Sequence, residues 1–363
     1  MGGGQSRPRL GAGRMATPSV SVAMPVFNGG RFLAEAISSI LDQTRDDLEL
    51  IVCDDGSTDG SLDIARAFAA RDPRVILLET RHGGIAAAMN HALGAARGEY
   101  FAPMDQDDVA LPDRLDRQVA FMVGNPDVAL VGSGVRLMDE TGQPGRKQVR
   151  PLSDVAGAML VSCAVVHPAS LMRTGAVRVV GGYRELVPFA EDYDLWLRLM
   201  ERFEIANLAD VLLLKRIHGG AVTQDRGARA FHVVARTIVY LSHLSRVTSG
   251  HDFADDKLPA FVGAMRFMAA YLDRTEMLPR DALYNFSRLL RYAPLPAAGG
   301  NASLRAYRRY LGQAARAGGP GAAARTGWYL LLYFAFNRRR WDELRATRFA
   351  SASAPATVLT GVA

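Results

Sequence analysis

The sequence predicts an α/β protein, a largely parallel mixed sheet flanked by helices, followed by an α-helical C-terminal region. Three observations predict it. From Ser19 onward, short apolar runs alternate with longer segments of helical periodicity, the rhythm of strands joined by crossover helices. The polar stretches DDGSTDGS and PMDQDD fall directly after apolar runs, where loops leave the ends of strands. Beyond about Arg226 the strand signals stop and only helical patterns continue.

Taken in order, SVSVAMPV reads as the first strand. The helix after it runs from Arg31 to Gln43, with Phe32, Ala36, Ile37, Ile40 and Leu41 at helical spacing. LELIVCD is the second strand. DDGSTDGS is a turn-rich loop whose Ser, Thr and Asp side chains can satisfy free amide donors at the start of the next helix, Leu62 to Ala70. RVILLE is the third strand, GGIAAAMNHALGAA a helix of small residues able to pack close to the sheet, and EYFAPM the fourth strand. A helix opening at Pro112 carries DRLDRQVAFMV, because proline is tolerated in a first turn. VALVGSGV and Leu212 to Ile217 are further strands. Phe231 to Arg246, Leu258 to Leu272, Arg280 to Tyr292 and Ala306 to Arg316 read as helices, with a linker at Pro294 to Asn301.

Size and composition narrow the function. The 363 residues, 49% of them hydrophobic, suffice for one large domain and a smaller one. Lys and Arg number 43 against 37 Asp and Glu, and much of the surplus lies in the last third, in RAYRRY and NRRRW, which suits an anionic surface or ligand. No aromatic-interleaved basic motif or zinc-finger spacing supports a nucleic-acid partner. Cys53 and Cys163 are too few for a disulfide framework, so a reducing compartment and two core positions are expected. MGGGQSRPRLGAGRM lacks the apolar core of a secretory signal and reads as a disordered tail; MGGGQS fits a myristoylation pattern, and Met15 is an alternative start. No apolar run reaches 18 residues. GWYLLLYFAF (327–336), followed by Arg338, Arg339 and Arg340, reads either as an interfacial helix or as a buried one.

The acidic clusters carry the chemistry. Asp54-Asp55 follows the second strand and Asp105-Gln106-Asp107-Asp108 the fourth, so both belong to the carboxyl edge of the sheet, where ligands of open parallel sheets bind. Asp105 and Asp107, two apart on an extended or turning segment, can present hard oxygens to one divalent cation. Mg2+ and Mn2+ keep positions open for phosphate oxygens, so the pair suits a diphosphate. In FAEDYDLWLRL, Tyr193, Trp196, Leu197 and Met200 form a helical stripe that places Glu191 and Asp192 at a helix start.

VAMPVFNGGRFLAEAISSILDQT, IVCDDGSTDGS, NHALGAARGEYFAPMDQDDVALPDRLDRQ and FAEDYDLWLRL, in this order, resemble family 2 glycosyltransferases, inverting enzymes of the GT-A fold, a Rossmann-like nucleotide-binding architecture. The similarity spans about Ser19 to Gln224. The resemblance implies that Pro25, Phe27 and Asn28 with Asp54 and Asp55 hold the nucleotide base. It implies that Asp105 contacts the ribose, that Asp107 ligates Mn2+ or Mg2+ with Asp105 and His218 beside it, and that Asp192 is the general base with Glu191 next to it. Asp108 is a helper or a cap for the following helix. Trp196 and His167 are expected on the acceptor side, although His167 could instead simply pack. Arg173 and Arg216 face either phosphates or solvent. The sequence departs from similar proteins at Pro103, where many carry a basic residue, and at TRHGG, where an asparagine-containing loop is common.

The implied partners are a nucleoside-diphosphate sugar and a glycan or lipid-linked saccharide; the expected location is the cytoplasm or, through the basic C-terminal helices, the inner face of the cytoplasmic membrane. The expected organisation is a tail (1–16), a transferase domain (17–225), a helical region (226–345) and a flexible tail (346–363). A nicotinamide-dependent dehydrogenase would need G-x-G-x-x-G after the first strand, where PVFNGGRF stands. A catalytically silent nucleotide-sugar-binding or scaffold protein is the other alternative, and the presence of Asp105, Asp107 and Asp192 together argues against it.

Overall fold

A computed structural model describes residues 17–159, 163–185 and 190–219, with positions 235, 236, 239, 242, 243, 246 and 247, all seven of them helical. The tail 1–16, the linker 294–301, the helices expected at 258–272, 280–292 and 306–316, the apolar segment 327–336 with its arginines, and 346–363 lie outside the described residues, as does most of 226–345.

The first half is a run of strand–helix units: β1 (Val20–Val26), α1 (Leu33–Leu41), β2 (Leu48–Asp54), α2 (Ser61–Arg71), β3 (Val75–Glu79), α3 (Ile85–Ala95) and β4 (Tyr100–Pro103). Then come β5 (Val109–Ala110), α4 (Arg114–Gly124), β6 (Val128–Met138), β7 (Pro144–Gln148) and α5 (Val155–Met159). A 3-10 turn (His167–Ala169), β8 (Leu171–Arg173), α6 (Thr174–Val179), α7 (Glu191–Met200) and β9 (Glu204–Arg216) complete the described elements. The strands form one sheet in the order β3-β2-β1-β4-β8-β6-β9-β5, with β7 paired to β6. β3, β2, β1 and β4 are parallel, β8 runs antiparallel to both β4 and β6, and β9 is parallel to β6.

The central strands are buried on both faces, and every residue of LELIVCD is buried. Side-chain alternation sorts β1 between two cores: Val20, Val22, Met24 and Val26 pack with α1 and α4 through Leu33, Ile37, Ile40 and Leu115. Ala23 faces the other core, with Met89 of α3, Phe101, Leu130 and Trp196. Each fully buried leucine or isoleucine contributes roughly 2 kcal/mol of apolar burial. Buried Glu49 of β2 is held by Arg97 at 2.6 Å and by the Ser21 hydroxyl at 2.6 Å, so its charge is paired inside the sheet.

Three sequence expectations change. Pro112 lies outside the helix, which opens at Arg114 after Asp113 as N-cap, so proline ends the preceding loop here. The strand expected at 212–217 begins at Glu204, because its first half is half-polar and lies beside β6 over most of its length. β5, β7 and β8 are too short or too polar for periodicity to announce them. Among the described residues no helix is long and apolar enough to cross a membrane.

Strand order fixes where a ligand belongs. The chain steps outward from β1 to β2 and β3, then crosses to the other side of β1 to lay down β4. This topological switch opens a crevice between the carboxyl ends of β1 and β4. PVFN leaves β1 at that point, and PMDQDD leaves β4.

Candidate active site

PMDQDD is built from below by arginine. Met104 N donates to Ala23 O at 2.9 Å, anchoring the segment to β1. Fully buried Arg114 donates to Pro103 O at 3.0 Å and to Ser170 O at 3.1 Å, so the guanidinium supports the backbone entering the acidic turn. Burial pulls its pKa down to about 10, against the charges of Asp108 and Asp105, and it stays cationic at neutral pH. Gln106, in the middle of the acids, makes a two-way clasp: its Oε1 accepts from Phe27 N at 2.9 Å and its Nε2 donates to Phe27 O at 3.1 Å. The loops after β1 and β4 are therefore tied together. Gly29 makes the approach possible, because a Cβ there would collide with the Gln106 amide.

One oxygen from each of Asp105, Asp107 and Asp108 lies within 4.8 Å of the others. The residues leaving β9 surround them. Arg216 N donates to Asp108 Oδ1 at 2.8 Å, and its guanidinium donates to Asp107 O at 2.9 Å and to Glu35 Oε2 at 2.5 Å. Lys215 Nζ stands 3.4 Å from Asp105 Oδ2 and 3.6 Å from Asp108 Oδ2. His218 Nε2 lies 2.8 Å from Asp107 Oδ2. Asp108 is 1% exposed and its Oδ2 is buried without a hydrogen-bond partner. Burial pushes its carboxyl up to about 8 despite Lys215, whereas Lys215, outweighing the same burial, holds Asp105 down at about 2. Three hard carboxylate oxygens with one orphan suit a divalent cation such as Mg2+ or Mn2+. Asp108 thus stands with Asp105 and Asp107 in one cluster, and the N-cap position of α4 is taken by Asp113.

The first acidic loop divides its labour. Asp54 Oδ2 accepts from Ser57 N at 3.0 Å, and its buried Oδ1 has no partner. Asp55 spends both oxygens on the loop before α3, accepting from Gly83 N and Gly84 N at 2.8 Å each. Gly84, at φ +88, gives the loop a conformation that favours glycine. Asp55 also pairs with His82 Nδ1 at 3.0 Å, and the His82 ring stacks on Phe27 at 4.2 Å. Both Asp55 oxygens are therefore engaged within the protein, and His82, from the departing TRHGG loop, lies between Asp55 and Phe27. Asn28, in a left-handed conformation at φ 48, accepts from Thr58 N at 2.8 Å and braces the same rim. Pro25 occupies the penultimate position of β1.

α7 opens on Glu191 and Asp192, as the apolar stripe predicts. Asp192 Oδ1 accepts from Tyr193 N at 2.6 Å. Glu191 is buried with Oε2 unpartnered, and burial, reinforced by the charge of Asp192, pushes its carboxyl up to about 7. His167 lies against the acidic cluster and feels the charges of this helix start. Its Nδ1 is 3.8 Å from Asp105 Oδ1 and its Nε2 2.9 Å from the Tyr183 hydroxyl. Burial opposes charge on the imidazole, but Asp105 outweighs it, helped by Asp192 and Glu191, and the pKa is raised.

Two placements differ from expectation. Trp196 is 0% exposed in the core, 6.0 Å from the His167 ring, because the apolar stripe of α7 faces the sheet; it backs His167 and presents no acceptor surface. Arg173 donates to Val128 O and Met122 O and pairs with Glu99, so it binds structure and no phosphate. Gln106, Arg114, Lys215 and His82 escaped the sequence reading. The only local signal was the pair of glycines after His82; the others depend on contacts between distant segments.

Comparison with known proteins agrees with this arrangement. The family described as Glycosyl transferase family 2 matches residues 21–170. The putative glycosyltransferase EpsE of Bacillus subtilis (strain 168) is 40% identical over 200 residues, 54% of this chain and 72% of that protein. Chondroitin synthase of Pasteurella multocida (strain Pm70) is 28% identical over 202 residues, 56% of this chain but 21% of that protein. Among solved structures, S. aureus TarS 1–349 in complex with UDP superposes with a TM-score of 0.50 at 16% identity, covering 88% of this chain and 91% of that one. The same TarS fragment without ligand gives 0.51. The curled, mostly parallel sheet is the GT-A fold. With an acidic cluster at the β1/β4 crevice and a relative of this identity and coverage, the chain belongs to family 2 of the glycosyltransferases and is a glycosyltransferase.

Proposed function

We propose that this glycosyltransferase moves a sugar, with inversion, from a nucleoside-diphosphate sugar to a hydroxyl of a glycan or lipid-linked saccharide. The observation that carries the reading is the juxtaposition, through His167, of the Asp105-Asp107-Asp108 cluster with the carboxylates opening α7. The free Asp54 Oδ1 would accept a ring N–H of the base beside the Phe27–His82 stack. Asp105 would meet the ribose, and Asp107 with Asp105 and Asp108 would hold Mn2+ or Mg2+, His218 fixing the Asp107 carboxylate. When bound, such a cation offsets the negative charge of the leaving diphosphate.

Asp192 is the proposed general base. With Oδ1 engaged by Tyr193 N, Oδ2 would take the acceptor proton as the acceptor oxygen bonds to the anomeric carbon and the bond to the diphosphate breaks. Attack from the face opposite the nucleotide inverts the configuration. A proton held by Glu191 removes a like charge beside Asp192 and so limits repulsion at the helix start. TarS is solved with UDP and with UDP-GlcNAc, and chondroitin synthase bears a polysaccharide in its name, which supports a nucleotide-sugar donor and a glycan acceptor here. We assign 17–225 to the transferase domain and 226–345 to a separate C-terminal region. Its basic composition would suit the anionic cytoplasmic leaflet.

The test separates binding from chemistry. Asp192→Asn should bind nucleotide as the wild type does while transfer falls by roughly 10²–10⁴-fold. Transfer surviving at the wild-type rate would remove Asp192 from the role of base.

A further inference from the structure

Lys215 places a tethered ammonium inside the cluster that would hold the cation. Its Nζ is 3.4 Å from Asp105 Oδ2 and 3.6 Å from the buried, otherwise unpartnered Asp108 Oδ2. Both distances exceed that of a good N–H···O bond, so the ammonium is held by charge more than by hydrogen-bond geometry. Its neighbour behaves differently: Arg216 is fixed by Asp107 O, Asp139 O, Glu140 O and Glu35, with its guanidinium 4.5 Å over the Phe32 ring. The Lys215 side chain is 27% exposed, against 2% for Arg216, so it has a way out to solvent.

Composition sharpens the contrast. Of 43 basic residues only Lys147, Lys215 and Lys257 are lysines; the rest are arginines. Lysine supplies what this place demands and arginine does not, a compact point charge on a flexible stem that can enter and leave a group of carboxylates.

We infer that Lys215 is a built-in counter-ion of the acidic cluster, occupying the cation's place in the metal-free protein and leaving it when a divalent cation binds, so that it sets the affinity of the site. The inference rests on the proposed cation site and adds a competitor to it. Without a cation, the carboxyls of Asp105, Asp107 and Asp108 face one another, and the ammonium offsets their negative charge and keeps the turn folded. On cation binding the ammonium and the cation cannot share the oxygens of Asp105 and Asp108, and the side chain turns outward. A lysine serving only as a permanent brace would act in the opposite sense, since its removal would loosen the turn and weaken cation binding.

The experiment uses the full chain and Mn2+ alone, with free and bound ion followed by electron paramagnetic resonance. Lys215→Met should bind Mn2+ at least about tenfold more tightly than wild type, and added salt should narrow the difference. Equal or weaker binding by Lys215→Met overturns the inference and leaves the cation site standing. No binding by wild type or any variant overturns the cation site and the inference with it. Should Lys215→Met fail to fold, wild-type protein carrying ¹³C-dimethylated lysines gives the same answer with Mg2+, there being only three lysine side chains to resolve. The Lys215 resonance should shift on adding Mg2+ while those of Lys147 and Lys257 stay; an unmoved Lys215 resonance on a protein that binds Mg2+ overturns the inference.

Discussion

Glu191→Gln should flatten the dependence of stability on pH. Glu191 opens α7 at 8% exposure with Oε2 unpartnered, and its carboxyl is pushed from the ordinary 4.5 up to about 7, first by burial and then by Asp192. The native state therefore holds this proton more tightly than the unfolded chain does. Stability is highest below the unfolded pKa, falls as pH rises from 4.5 to about 7, and levels off above. At about 1.4 kcal/mol per pH unit that interval amounts to roughly 3 kcal/mol, part of which belongs to the pair with Asp192. Glutamine keeps the shape and removes the titration. Urea denaturation of metal-free wild type and Glu191→Gln at about pH 5 and about pH 8 should show the gap moving by roughly 2.5 kcal/mol in favour of the variant at the higher pH. Parallel pH profiles would refute the reasoning, because they would mean that Glu191 titrates alike in folded and unfolded chains.

Other predictions follow from contacts already described. Gln106→Ala breaks both bonds to Phe27 and should cost roughly 1–2 kcal/mol of stability and raise the nucleotide dissociation constant, read by thermal melting and titration. Arg114→Leu leaves Pro103 O and Ser170 O without their buried donor and should destabilise by about 3–5 kcal/mol; a melt within error of wild type would show that the turn does not depend on it. Burial pushes the Cys53 thiol up to about 11 and that of Cys163 up to about 12, so iodoacetamide at neutral pH should modify neither in the native protein and both after denaturation, as mass spectrometry can show.

The sheet was legible where one strand carries a whole apolar run. LELIVCD is the second strand to the residue, and every one of its positions is buried. PMDQDD and DDGST were placed correctly because the rule that ligands sit at strand carboxyl ends needs only strand order. Partners from distant segments were not legible. Lys215 follows Asp105 by 110 positions and reaches it because β9 comes back beside β5. Gln106 reads as a spacer between acids until the β1 loop supplies Phe27. Trp196 shows the limit of periodicity, which finds the apolar stripe of α7 without saying that the stripe faces the sheet. His82 stands between, its loop marked as unusual but its Asp55 and Phe27 contacts hidden.

The most direct test of the proposed site is calorimetric titration of wild type and Asp107→Ala with UDP, GDP and dTDP, each with Mn2+ and with chelator. The site predicts that wild type binds one of these nucleotides with Mn2+, that chelator abolishes the binding, and that Asp107→Ala loses it. Binding of the same strength in Asp107→Ala, or binding indifferent to chelator, would contradict a cation held by Asp105, Asp107 and Asp108.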